Sequence, residues 1–180
     1  MMSNFKDYSV TVADTTELLS VWSFLENPAI QPTNQGTVNT TFFVDAPDSG
    51  KFVLKLYDDS TTTAQIKYEH SLLAHLQSAD LSFAVPAPIP DAAGETLLMV
   101  NKNNSSLRFT LQNYIPGQPA NRQNIYHLRS AGEALGELHR ALGEFDSQGK
   151  LAHLPPWGEL NLIHPLITNP LEVILREDNL

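Results

Sequence analysis

The chain contains no cysteine, so neither disulfides nor thiolate-held metals enter its chemistry. It has no apolar run near the roughly 20 residues that a membrane helix needs, and its start lacks a basic segment leading into an apolar one. The lack of an apolar run and of a basic–apolar start sets the expectation of a cytoplasmic protein with no membrane partner, while the lack of cysteine fixes no compartment. Positive charge is scarce as well: 11 Lys and Arg stand against 20 Asp and Glu, for a formal net charge of −9. The basic residues form no cluster, which argues against nucleic acid as a partner. A locally held phosphate stays open, because a backbone loop and one lysine can bind a nucleotide that arrives with a divalent cation. The rest is ordinary, 42% hydrophobic and 17% charged over 180 residues, enough for a sizeable core.

One stretch organises what is there. Gly50 to Tyr57 reads GKFVLKLY, a strand pattern in which Phe52, Leu54 and Leu56 alternate with Val53, Lys55 and Tyr57. Lys55 therefore shares a face with Val53 and leaves the sheet on a packed side or into a cleft. From Thr61 to Gln77 a helix is expected, with Ile66, Leu73 and Leu76 on one stripe and Glu69 on the same stripe. An ammonium and a carboxylate drawn out of water need each other or a ligand. On these two residues alone, a solvated edge lysine and an unrelated helix glutamate are the alternative.

Taken in order, Asp14 or Thr15 caps a helix expected over about 14–26, through Leu18, Leu19, Trp22 and Leu25, with Asn27-Pro28 as its stop. Ile30 to Val44 reads as strand, turn and strand around Gly36, and Asp45 to Gly50 as a second turn. A turn such as Asn34 to Asn39 can cradle phosphate oxygens or be an ordinary hairpin turn. Val85 to Pro90 carries three prolines and runs extended. Glu95 to Val100 and Leu107 to Ile115 form another hairpin. The expected fold is α+β, about five antiparallel strands with one helix inserted after the third. Past Pro116 and Gly117, apolar residues at Ile125, Leu128, Ala131, Leu135, Leu138, Leu142 and Phe145 predict one long helix from Asn121 to Phe145 with a core-facing stripe. His139, beside that stripe, reads as a packing or surface residue.

Five segments in order and spacing resemble the phosphotransferase family of aminoglycoside phosphotransferases, choline kinases and type II homoserine kinases, which has the protein-kinase-like fold. They are Phe52 to Tyr57, Gln65 to His70 with Leu72 to Leu76, Val85 to Ile89, Gln112 to Gly117, and Ala131 to His139. The resemblance covers most of residues 30–145. It implies an N-lobe over 1–115, a hinge over 116–120, and the first helices of an incomplete helical C-lobe over 121–180. It also implies that Lys55 contacts ATP phosphates and that Glu69 orients it. Gly36, Thr37 and Asn39 would lie over the phosphates, Val53 against adenine, and the backbone of Asn113 and Ile115 would hydrogen-bond the base.

The departures are equally specific. The family's His-Gly-Asp, the Asn that follows it and the later metal-binding Asp are absent from this sequence, so it holds no catalytic carboxylate and no metal ligands of its own. The catalytic Asp and the Mg²⁺ ligands are expected after Leu180, and the chain alone is expected to be inactive. Two functions follow. One is the ATP-binding part of a truncated small-molecule kinase, acting on a hydroxyl of an amino alcohol, amino acid or aminoglycoside-like acceptor, and prone to self-association through an uncovered C-lobe helix. The other is a non-catalytic nucleotide-binding or protein-interaction module.

Overall fold

The computed structural model describes residues 12–33, 39–102 and 105–147. The chain divides into two compact units, 1–145 and 146–180, and every element below belongs to the first. Helix α1 (Val12–Leu19) precedes strands β1 (Ala29–Pro32), β2 (Thr40–Ala46) and β3 (Gly50–Leu56). Helix α2 (Thr63–Ser78) follows, then β4 (Leu98–Lys102), β5 (Ser105–Asn113) and helix α3 (Ile125–Gly143). The strands form one antiparallel sheet in the order β1-β2-β3-β5-β4. This is the α+β arrangement expected from the sequence.

Each junction has a local cause. The β2–β3 turn places Gly50 at a φ of 98°, a backbone state open to glycine and strained for other residues, and Ser49 N–H donates to the Ala46 carbonyl. Helix α2 begins with a capping box: Thr62 Oγ1 accepts from Gln65 N–H while the Gln65 side chain accepts from Thr62 N–H. The proline-rich connector lies against the sheet, where Ile89 N–H donates to Leu111 O at 2.8 Å and Pro88 bridges to Gln112.

The main core fills one face of the sheet. Phe42, Val44, Leu54, Leu56, Phe109 and Leu111 bury there against Leu19, Trp22 and Leu25. Trp22 satisfies its indole by donating Nε1–H to the Ile89 carbonyl at 3.1 Å, so the same residue that fills the core also anchors the connector.

Two expectations need correction. The first helix ends at Leu19, not near residue 26, and Asp14 and Thr15 lie within it rather than capping it. Trp22 and Leu25 reach the core from successive three-residue turns, in which Trp22 N–H donates to Leu19 O and Leu25 N–H to Trp22 O. These tight turns bring apolar residues three apart to one side as a helix does, and a periodicity of three cannot separate the two.

The stripe on α3 is the second. Ile125, Leu128 and Leu135 are 68%, 48% and 51% exposed, and Ala141 alone among the described residues of the helix is buried. Helix α3 meets the rest of its unit through α2 and its flanks: His75 Nε2 lies 2.8 Å from Ala141 O, and Phe145 stacks on His75 and Tyr68. The Glu137 carboxylate accepts from Ser82 N–H and Oγ–H, bonds that hold its pKa below the ordinary value. An apolar stripe predicts something to cover it; α2 covers its C-terminal end, and among the described residues nothing covers Ile125, Leu128 and Leu135.

These environments predict opposite costs for one chemical change. Leu54→Ala should lower unfolding free energy by about 3 kcal/mol through loss of transfer energy and a residual cavity. Leu135→Ala should change it by less than about 0.5 kcal/mol. Urea unfolding of both variants beside the parent chain reads the difference.

Candidate functional site

The second face of the sheet carries the polar chemistry. Register aligns Thr41, Lys55 and Thr110 in one row and Phe43, Val53 and Gln112 in the next. Pleating sends both rows away from the Trp22 core. Helix α2 comes down on this face, and its inward stripe carries Ile66, Glu69, His70 and Leu76.

Lys55 Nζ donates to Glu69 Oε1 at 2.6 Å, with the lysine side chain 16% exposed and the glutamate 36%. The pair therefore sits at the boundary between interior and solvent, where charge-assisted bonds are strong and the ammonium keeps an open side. Nζ also lies 4.3 Å from the centroid of the Tyr57 ring, a cation–π contact that fixes it further.

Behind the pair is a buried hydrogen-bonded cluster. Tyr57 Oη lies 3.3 Å from Glu69 Oε1 and 3.3 Å from His70 Nε2. Nε2 is also 3.1 Å from Thr110 Oγ1, and Nδ1 is 2.8 Å from Thr96 Oγ1. Burial, reinforced by the Glu69 carboxylate, pushes the Tyr57 phenol above its ordinary pKa, so it stays protonated. Burial pulls His70 below the ordinary imidazole value; Glu69 opposes that shift and Lys55 adds to it.

Farther along the same face, an aromatic corner meets a cavity. Phe43 and Tyr114 meet edge to face with centroids 5.8 Å apart, and both are partly exposed. A cavity of about 310 Å³ opens beside them, lined in part by Gln31, Asp45 and Lys51. It lies at the far end of β3 from the ion pair, since Lys51 precedes Lys55 by four residues, about 13 Å along a strand. The ion pair itself does not line that cavity.

Of the residues singled out in the sequence, Lys55, Glu69 and Val53 come together on this face. Asn39 lies at the Lys55 end, where its Oδ1 accepts from Asp58 N–H at 3.1 Å. Asn113 closes β5: its N–H donates to Ala87 O and its side-chain oxygen accepts from Ala87 N–H. Ile115 follows, partly exposed beside Tyr114. Gly36 and Thr37 lie outside the described residues. Among the described residues, no group of three His, Cys, Asp or Glu side chains converges as a metal site.

Sequence reasoning missed Tyr57, His70, Thr110 and the Phe43–Tyr114 corner as parts of the site. The signals were present for two of them. Tyr57, one residue past the end of β3, keeps the parity of Lys55, and His70 follows Ile66 by four on the buried side of α2. Thr110 and Phe43 depend on strand register, which local patterns do not fix.

Comparison with known proteins agrees with this architecture. Homoserine kinases of Caulobacter sp. (strain K31) and Rhodopseudomonas palustris (strain BisB5) are each 31% identical over 107 residues, covering 59% of this chain and 31% of the relative. The homoserine kinase of Cupriavidus necator is 30% identical over 68% of this chain and 36% of its own length. The chain thus spans about a third of the length of these curated relatives. Among solved structures, a microcompartment-associated aminopropanol kinase matches at a TM-score of 0.59 with 20% identity, over 82% of this chain and 49% of that one. An amicoumacin kinase in complex with AMP-PNP, Ca²⁺ and Ami matches at 0.67 with 12% identity, over 94% and 54%. Both likenesses support the protein-kinase-like fold. Residues 29–170, well over half of the chain, match the profile of the phosphotransferase enzyme family, and the chain belongs to that family.

Proposed function

We propose that this chain carries the ATP-binding part of a small-molecule kinase whose whole form transfers the γ-phosphate of ATP to a hydroxyl of a metabolite or aminoglycoside-like acceptor. The observation that carries the reading is the Lys55–Glu69 bond of 2.6 Å on the face of the sheet opposite the Trp22 core. A strand ammonium held by a helix carboxylate is fixed in direction, and phosphoryl transfer requires a fixed cation at the nucleotide phosphates.

The rest of the face suits the other end of the nucleotide. Val53 lies one pleat from Lys55, and Phe43 and Tyr114 offer aromatic edges and faces beyond it. Base at the aromatic corner and phosphates at Lys55 use the length of the face. In this reading the backbone of Asn113 and Ile115 bonds adenine, and Gly36, Thr37 and Asn39 cover the phosphates. Mg²⁺ accompanies the nucleotide and supplies charge neutralisation when bound; its ligands, with the carboxylate that orients the acceptor hydroxyl, belong to sequence other than the described residues. Residues 1–115 act as the nucleotide lobe, 116–120 as the hinge and 121–180 as the start of a helical lobe, in the cytoplasm.

The acceptor class draws on the relatives. Homoserine and aminopropanol each present a hydroxyl and an amine, so an amino alcohol or amino acid hydroxyl is the first acceptor to test in the complete enzyme. The exposed stripe on α3 favours a chain that works as part of a larger kinase over a free-standing interaction module, because exposed apolar faces of this kind are normally covered by partner structure.

Two measurements test the nucleotide site. Lys55→Ala should weaken ATP binding to the chain about tenfold or more by calorimetry, and leave adenosine binding nearly unchanged. Unchanged ATP affinity in a folded variant would remove Lys55 from the site. Conversely, Tyr114→Ala should weaken adenosine and ATP alike, by about threefold to tenfold, through loss of aromatic contact with the base. A loss seen with ATP but not adenosine would move the base away from that corner.

A further inference from the structure

We propose that His70 is a positioning residue for the Lys55–Glu69 pair, acting through Tyr57 as a neutral imidazole that carries its proton on Nε2. The assignment follows from counting donors. Glu69, ionised against Lys55, can only accept, so the Tyr57 hydroxyl facing Oε1 donates its one proton there. Tyr57 Oη then has only lone pairs to offer His70, and its 3.3 Å approach to Nε2 is favourable only if Nε2 bears the hydrogen. A neutral ring protonated on Nε2 has a bare Nδ1, which accepts the hydroxyl proton of Thr96 at 2.8 Å. Thr110 Oγ1, at 3.1 Å, shares the Nε2 hydrogen.

The result is one directed chain, Thr96 to His70 to Tyr57 to Glu69, with every donor pointing toward the carboxylate that holds Lys55. The groups facing His70 are Lys55 from β3, Tyr57 just past its end, Glu69 from its own helix, Thr110 from β5 and Thr96 from the segment before β4. Burial favours the neutral ring, in keeping with its lowered pKa. A ring protonated on Nδ1 alone would set two lone-pair centres against each other at Tyr57, loosening the phenol and with it one of the two donors on Glu69 Oε1.

The chain as it stands can be examined directly. Nitrogen-15 NMR of the folded chain at pH 7 should show His70 neutral with its proton on Nε2; a ring protonated on Nδ1, or on both nitrogens, overturns the proposal. The consequence for ATP rests on the nucleotide site proposed above. His70→Leu should weaken ATP binding about tenfold, and His70→Gln, which can place an N–H donor near the Nε2 position, should recover most of the loss. In a Tyr57→Phe background, His70→Leu should cost less than about twofold, since its route to Glu69 is already cut. Equal losses with and without the Tyr57 hydroxyl overturn a positioning role. If the parent chain binds no ATP, the nucleotide reading fails, and the NMR tautomer together with the carboxylate carbon shift of Glu69 decides the proposal: a shift moved by His70→Leu and restored by His70→Gln supports it. If the leucine variant does not fold, the parent spectrum and the glutamine variant decide it.

Discussion

A charged group inside a strand is the constraint on which this unit depends. Lys55 cannot be withdrawn from water without a counterion, and the one it pairs with is on a helix that follows in sequence and returns to the sheet. The 2.6 Å bond to Glu69 therefore ties α2 to β3 at one rotational setting. That setting brings Ile66 and Leu76 inward and lowers His70 onto Thr110. The inward residues of α2 include a histidine and a glutamate beside Ile66 and Leu76, so polar bonds as well as apolar packing decide where this helix sits.

The two faces of the sheet divide the work accordingly. One is filled by Phe42, Leu54, Phe109 and Leu111 under Trp22 and is apolar throughout its centre. The other mixes Lys55, Thr110 and Gln112 with Val53 and Phe43, a surface suited to a ligand with an apolar end and a charged end. Arg108 extends the polar side: it donates to the carbonyls of Thr61 and Asp59 and so holds the loop between β3 and α2. The loop that carries the chain from the lysine to the glutamate is thus itself fastened to β5.

Much of this was legible in the residues and their order. The alternation in Gly50 to Tyr57 assigned Lys55 to its face, and the three-and-four spacing after Ile66 assigned Glu69 to its stripe, because both periods are set by local backbone geometry. The count of about five antiparallel strands with one inserted helix followed from hairpin turns and the stiff connector, but the strand order, with β5 rather than β4 beside β3, did not. Long-range facts were not legible. Register alone brings Thr110 opposite Lys55 and Phe43 opposite Val53. The misplaced end of α1 has a similar origin: Leu19, Trp22 and Leu25 repeat every three residues, which suits a helix and a string of tight turns equally. The stripe on α3 was read correctly as apolar, and its core-facing reading fails at Ile125, Leu128 and Leu135, since periodicity shows which side wants cover and not whether cover is present.

The proline connector has one more effect, on how the sheet meets other chains. Exposed sheet edges recruit foreign strands through unpaired backbone groups. Here β5 outruns β4, and the stretch left over, Leu111 to Asn113, is matched by Ala87 to Ile89 rather than left open. At the opposite margin β1 is four residues long and ends on Pro32, which has no N–H to offer. The prolines that stiffen the route to β4 therefore also close the far end of β5, so that the sheet's borders are the two short outer strands, β1 and β4.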